Sequence, residues 1–374
     1  VIFGKGCLKD GINAISQLGK RPMVVYAAGG APVETITAPL YEMGLTLTKH
    51  AVDHEPSVDL IQRMVKSARE NDCDSVIAFG GGSVMDAGKA TSAMLTNSGD
   101  LLEYLEVIGQ NKPLTLPAAP CVTIPTTAGT GAEVTRNAVL AVPEKKVKVS
   151  LRSNYLLPKL AIVDPELTLT LPAHITAYTG MDALTQVIEP YVSIKHNPLV
   201  DVLCLDGIAR SVRSLFKAFL NSSDCEARYD LSLASLYGGL ALTNAGLGAV
   251  HGFAGPMGGM YDIPHGAVCG ILLPYVFRMN VNAIVIRHPE SEFISRFKMV
   301  ASSLTGDTDA SPEEGAEWLV QLVEKLRIPR LADYGIIRDD FPLIVEKARV
   351  ASSMKANPIE LSNQELIQIL EAAY

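Results

Sequence analysis

Ser75-Val76-Ile77-Ala78-Phe79-Gly80-Gly81-Gly82-Ser83 sets the architecture of this chain. Residues 75–79 form a short β-branched run that predicts a buried strand, the glycines end it, and a helical pattern follows. Glycine lets the backbone approach an anion closely. The helix start offers unpaired N–H groups and the positive end of the helix dipole. Asp86 and Lys89 lie one and two turns into that helix.

The alternation continues on both sides. Residues 22–27, 45–52, 121–124 and 160–163 predict further strands, 32–43 and 58–70 predict helices, and 138–151 a hairpin around Pro143-Glu144-Lys145. Strand–helix alternation implies a parallel sheet covered by helices. After Asp164-Pro165 the strand pattern stops. Helical periodicities run over 173–193, 198–220, 226–247, 267–281, 289–304, 312–326, 340–353 and 362–373. The expected fold is an α/β N-terminal domain with a parallel Rossmann-like sheet over 1–165 and an all-α C-terminal domain over 166–374. No Gly/Ser linker separates them, so the two are expected to pack around a cleft.

Composition narrows the function. Of 374 residues, 48% are hydrophobic and 19% charged, which supports a large buried core. A net charge of −8 supplies no basic footprint, which argues against nucleic acid and anionic membrane surfaces as partners. The six scattered cysteines include no Cys-x-x-Cys pair, and no signal peptide is visible. The expectation is reduced thiols in a cytoplasmic protein. No run reaches the roughly 18 apolar residues of a membrane helix. Residues 232–260 come nearest, interrupted by Asn244 and His251.

Three further stretches carry chemistry. Pro125-Thr126-Thr127-Ala128-Gly129-Thr130-Gly131 follows a strand and offers hydroxyls and N–H groups to a phosphate or ribose. Asp182 and Gln186 are four apart and share one helix face. His251 and His265 stand in an otherwise small and apolar stretch, where a buried imidazole needs a partner. Two such groups suit a metal or a proton-transfer site. Cys269 reads as packing.

These motifs resemble the iron-type (group III) alcohol dehydrogenases of the dehydroquinate-synthase-like fold. The resemblance runs nearly end to end and rests on Gly80-Gly81-Gly82-Ser83-x-x-Asp86-x-x-Lys89, on 125–135, on Gly180-x-Asp182-Ala183-Leu184-Thr185 and on His251 to Gly266. It implies that Gly81, Gly82, Ser83, Thr126, Thr127, Thr130 and Lys148 contact a nicotinamide cofactor, with Asp86 in the same loop–helix motif. It also implies that Asp182, His251 and His265 bind a divalent metal, Fe or Zn. Two positions depart from the family pattern. Gln186 stands where the family has a histidine as fourth ligand, and Gly255 where it has a histidine near the nicotinamide. A neutral amide is a poorer ligand for Fe²⁺ or Zn²⁺ than imidazole.

The stretch Tyr26-Ala27-Ala28-Gly29-Gly30 after the first strand holds no acid to repel a 2′-phosphate, so NADP is expected to be accepted and preferred over NAD. The expected reaction is hydride transfer between NAD(P) and an alcohol, aldehyde or ketone. Asp182, His251 and His265 would act on the carbonyl, with Gln186 in the metal set. Two alternatives stand beside it. One is a metal-free reductase of the maleylacetate-reductase type, with His251 or His265 donating the proton. The other is an inert nucleotide-binding protein. A homodimer or larger homo-oligomer is expected.

Overall fold

Period-2 alternation sorts the strand residues of the first unit between two faces of one sheet. The computed structural model describes all residues Val1–Tyr374. In chain order the first unit contains β1 (Ile2–Phe3), α1 (Leu8–Ile15), β2 (Pro22–Ala27), α2 (Glu34–Glu42), β3 (Thr48–Val52), α3 (Val58–Glu70), β4 (Ser75–Gly80), α4 (Gly82–Thr96), α5 (Leu101–Tyr104), β5 (Cys121–Pro125), β6 (Asn137–Val142), β7 (Val147–Arg152) and β8 (Leu160–Val163). Six of these strands form a sheet in the order β1-β8-β5-β4-β2-β3, all paired in parallel. Val24, Ile77, Phe79, Val122 and Ile124 face one side and pack with Leu8, Ile12 and Ile36. Met23, Val25, Val76 and Ala78 face the other and pack with Ile61, Met64 and Met85. The expected hairpin forms as antiparallel β6–β7.

The sheet order places a topological switch between β2 and β4. The chain leaves β2 outward to edge strand β3, then returns to β4 on the far side of β2. Ligands of open α/β sheets bind at the carboxyl ends of strands at such a point.

The second unit is helical: α6 (Ala173–Tyr191), α7 (Pro198–Leu220), α8 (Cys225–Ala245), α9 (Ala249–Met260), α10 (His265–Arg287), α11 (Glu292–Thr305), α12 (Pro312–Lys325), α13 (Phe341–Val350) and α14 (Asn363–Ala373). One continuous apolar core joins them. Helix α9 was not expected, because Gly252, Gly255, Pro256, Gly258 and Gly259 give it poor intrinsic propensity.

By backbone proximity the first unit takes in Val1–Thr127 and Gly131–Thr170, and the second Ala128–Thr130 and Leu171–Tyr374. The side chain of Asp164 accepts from Gly6 N (3.0 Å) and Leu8 N (3.1 Å), tying the following turn to the first unit.

The membrane reading needs one correction. Helix α10 is long and apolar enough by length and composition to cross a bilayer, but its apolar window is 61% buried among α6, α9, α12 and α14, as a core helix is. The stretch 232–260 is instead two helices, α8 and α9, bent by 101°.

Candidate active site

Three helices of the second unit deliver four potential ligand atoms to one point. Asp182 comes from α6, His251 from α9, and His265 and Cys269 from α10. Their ligand atoms all lie within 4.8 Å of one another. His251 Nε2 is 3.2 Å and His265 Nε2 3.8 Å from Asp182 Oδ1. Cys269 Sγ is 3.7 Å from Asp182 Oδ1 and 3.8 Å from His251 Nε2. Asp182, His251 and Cys269 are buried, whereas the His265 side chain is 35% exposed, so His265 is the member that solvent reaches.

The surroundings fix these side chains. Glu189, two turns beyond Asp182 on α6, uses both oxygens. Oε2 accepts from His251 Nδ1 (2.6 Å) and Oε1 accepts from Val250 N (2.7 Å). Asn357 Oδ1 accepts from the neighbouring Ala249 N at 3.1 Å. Two distant side chains therefore cap the start of α9, which has no side-chain cap of its own, and this offsets its glycine content. A Cβ at Gly248 would lie 2.8 Å from Glu189 Oε1 and 3.0 Å from Asn357 Oδ1, so a side chain there would displace the two capping groups. Gly266 lets α10 start directly against α6. A Cβ there would lie 2.2 Å from Tyr178 O. That close approach brings His265 beside Asp182.

Charge is shared tightly. Burial disfavours ionisation of Asp182, yet His265 and His251 outweigh it and hold the carboxyl below its usual range. Burial likewise opposes protonation of His251, but Cys269, Glu189 and Asp182 together drive its pKa well above the ordinary value. His265 is pushed up to about 9: burial opposes this, and Cys269 and Asp182 prevail.

The donor set fits a divalent metal. Tetrahedral zinc with Zn–N and Zn–O near 2.0 Å and Zn–S near 2.3 Å has ligand atoms roughly 3.3–3.6 Å apart, close to the separations here. His251 is arranged as metal-binding histidines usually are, with one ring nitrogen held by the Glu189 carboxylate and the other turned toward Asp182 and Cys269. Gln186 sits on the same helix as Asp182, α6, and its amide nitrogen is engaged by backbone carbonyls. Nε2 donates to Thr130 O (2.9 Å) and Gly129 O (3.4 Å), leaving only Oε1 as a ligand atom.

In the first unit, the loops after the adjacent strands β4 and β5 meet. Thr126 N donates to Gly80 O (2.9 Å), and a Cβ at Gly81 would press on the Thr127 side chain at 3.3 Å. This brings Gly81, Gly82, Ser83, Thr126 and Thr127 together at strand carboxyl ends, with Gly81 at the N-cap of α4. The remaining residues lie elsewhere. Asp86 accepts from Val139 N (3.0 Å) and pairs with Lys89 Nζ (3.0 Å). Lys89 is fully buried and donates to Ala132 O, Thr135 Oγ1 and Asn137 O. The Asp86–Lys89 pair thus holds the segment leading into β6. Lys148 pairs with Glu55 at 3.2 Å, and Thr130 belongs to the second unit.

Two residues of this site, the potential ligand Cys269 and the carboxylate that orients His251, were not singled out for chemistry from the sequence. Cys269 lies one turn beyond His265 on α10, a spacing that marks a shared helix face. Glu189 lies seven residues after Asp182, again on one face.

The family model described as iron-containing alcohol dehydrogenase matches residues 1–165, and its C-terminal counterpart matches 176–374. The chain is 35% identical to 1,3-propanediol dehydrogenase of Citrobacter freundii over 97% of this chain and 96% of that protein. It is 33% identical to alcohol dehydrogenase 4 of Schizosaccharomyces pombe over 100% of this chain and 87% of that protein. Among solved structures it superposes on the alcohol dehydrogenase from Oenococcus oeni with a TM-score of 0.91 at 33% identity, covering 100% of this chain and 97% of that one. The chain belongs to the iron-containing alcohol dehydrogenase family and is an oxidoreductase acting on CH–OH groups.

Proposed function

We propose that this protein is a metal-dependent NADP(H)-linked dehydrogenase that interconverts a primary alcohol larger than ethanol with its aldehyde. The observation that carries the metal is the convergence of Asp182, His251, His265 and Cys269, with Glu189 orienting His251. A divalent metal supplies Lewis acidity toward the carbonyl oxygen, and the nicotinamide supplies or accepts hydride. The protein's own part is to hold that oxygen beside a pre-oriented, largely dry cluster. His265, 35% exposed, is the member of the cluster that faces solvent.

The cofactor preference rests on the turn after β2. Ala28, Gly29 and Gly30 present no carboxylate there, and Glu55 after β3 pairs with Lys148. Substrate size rests on Gly255, one turn beyond His251. A Cβ there meets nothing within 4 Å, so the helix leaves open space on that face. Several similar proteins carry names of this kind, including 1,3-propanediol dehydrogenase and the long-chain-alcohol dehydrogenase 1 of Geobacillus thermodenitrificans.

The test is steady-state reduction of an aldehyde series with NADPH and NADH, before and after exhaustive chelation. Chelation is expected to abolish turnover, and zinc or ferrous iron to restore it. A kcat/KM roughly tenfold higher with NADH than with NADPH contradicts the cofactor assignment. Undiminished turnover after chelation contradicts the metal reading and favours direct proton donation by histidine.

A further inference from the structure

We propose that Cys269 supplies the fourth protein ligand of the metal, as a thiolate, while the amide nitrogen of Gln186 tethers a loop. This deepens the metal-dependent reading above and rests on it.

Two independent observations carry the inference. Cys269 Sγ sits 3.7 Å from Asp182 Oδ1 and 3.8 Å from His251 Nε2, and the four ligand atoms form one group. Cys269 is fully buried, and its sulfur is turned toward the carboxylate of Asp182 and the imidazoles of His251 and His265. The second observation concerns Gln186. Its amide hydrogens go to the carbonyls of Gly129 and Thr130. Glycine at 238 leaves room for this pose, since a Cβ there would lie 2.9 Å from Gln186 Cβ and 3.2 Å from Nε2. Gln186 thus pins the Gly129–Thr130 backbone against α6 and α8.

The chemistry changes accordingly. On metal binding the Cys269 thiol gives up its proton to solvent and the sulfur lone pair forms the bond, with no change of oxidation state. One carboxylate, two imidazoles and one thiolate form a softer set than carboxylate with imidazoles alone. Thiolate favours zinc over ferrous iron among the metals such a site meets.

The experiment is X-ray absorption on zinc-loaded wild-type protein, together with absorption spectra of the cobalt(II)-substituted protein and its Cys269→Ser and Gln186→Ala variants. The expected result is one sulfur scatterer at about 2.3 Å from zinc. Thiolate-to-cobalt charge transfer is expected in wild type and Gln186→Ala and absent in Cys269→Ser. Zinc bound only by nitrogen and oxygen overturns this inference and leaves the metal-dependent reading standing. No bound zinc or cobalt overturns both. The wild-type zinc spectrum is decisive even should Cys269→Ser fail to fold.

Discussion

Glu189 Oε2 stands 2.6 Å from His251 Nδ1, joining α6 to α9 through a buried carboxylate–imidazole pair. The contact fixes which ring nitrogen turns toward Asp182, and the other carboxylate oxygen caps the helix that carries the histidine. Glu189→Gln keeps the shape and one acceptor but weakens the hold on the ring. Zinc affinity should fall about 10–100-fold, as losses of outer partners of ligating histidines do. Competition with a chromophoric chelator measures it, and an unchanged affinity would show that Glu189 serves the helix alone.

Gly266 should tolerate no side chain. The barrier is Tyr178 O, a backbone atom held in α6, at 2.2 Å from an added Cβ. Gly266→Ala must push the first turn of α10 away and carry His265 with it. A loss of about 1–3 kcal/mol in unfolding free energy is expected from overpacking, accompanied by weaker metal binding. Denaturant unfolding and metal titration read the two effects separately.

The parts that a sequence pattern could reveal are those whose partners are local. Residues 22–27, 58–70 and 160–163 were expected as the elements that β2, α3 and β8 prove to be, because alternation or helical periodicity lies within each segment. His251 and His265 stood out as polar groups in apolar surroundings, and Asp182 as an acid sharing a helix face with Gln186. Helix α9 did not, since its stability comes from Glu189 and Asn357, far away in the chain. The role of Gln186 was hidden for the same reason: its partners are carbonyls at 129 and 130. Cys269 was readable from its spacing to His265, but a lone cysteine in a long apolar run resembles ordinary packing.

Gly255→His should restrict the substrate range. Nothing within 4 Å opposes a Cβ at this site, and replacing a helical glycine by histidine removes roughly a few tenths of a kcal/mol of propensity penalty. The variant should therefore fold with undiminished melting temperature. Its kcat/KM for long aldehydes should fall relative to acetaldehyde. A uniform change across the series would mean that the space beside Gly255 is not used by substrate.

Glu133 should make stability depend on pH. Burial pushes its carboxyl up to about 7, only partly countered by its own backbone N–H and by Lys89. Its folded pKa is raised, so its contribution is fully present below the unfolded value near 4.3 and is lost as pH rises through about 7. Relative to Glu133→Gln, wild type should lose on the order of 3 kcal/mol between about pH 4 and pH 8. Urea unfolding of both proteins across that range checks the slope, and parallel curves would contradict it.

The central claim is that Asp182, His251, His265 and Cys269 form a working metal centre. Metal content of protein purified without oxygen and without a metal-chelating tag tests it most directly, with Asp182→Ala alongside. About one zinc or iron per chain is predicted in wild type, with neither metal nor aldehyde reduction in the variant. A wild-type value near zero in protein that still reduces aldehydes would contradict the account.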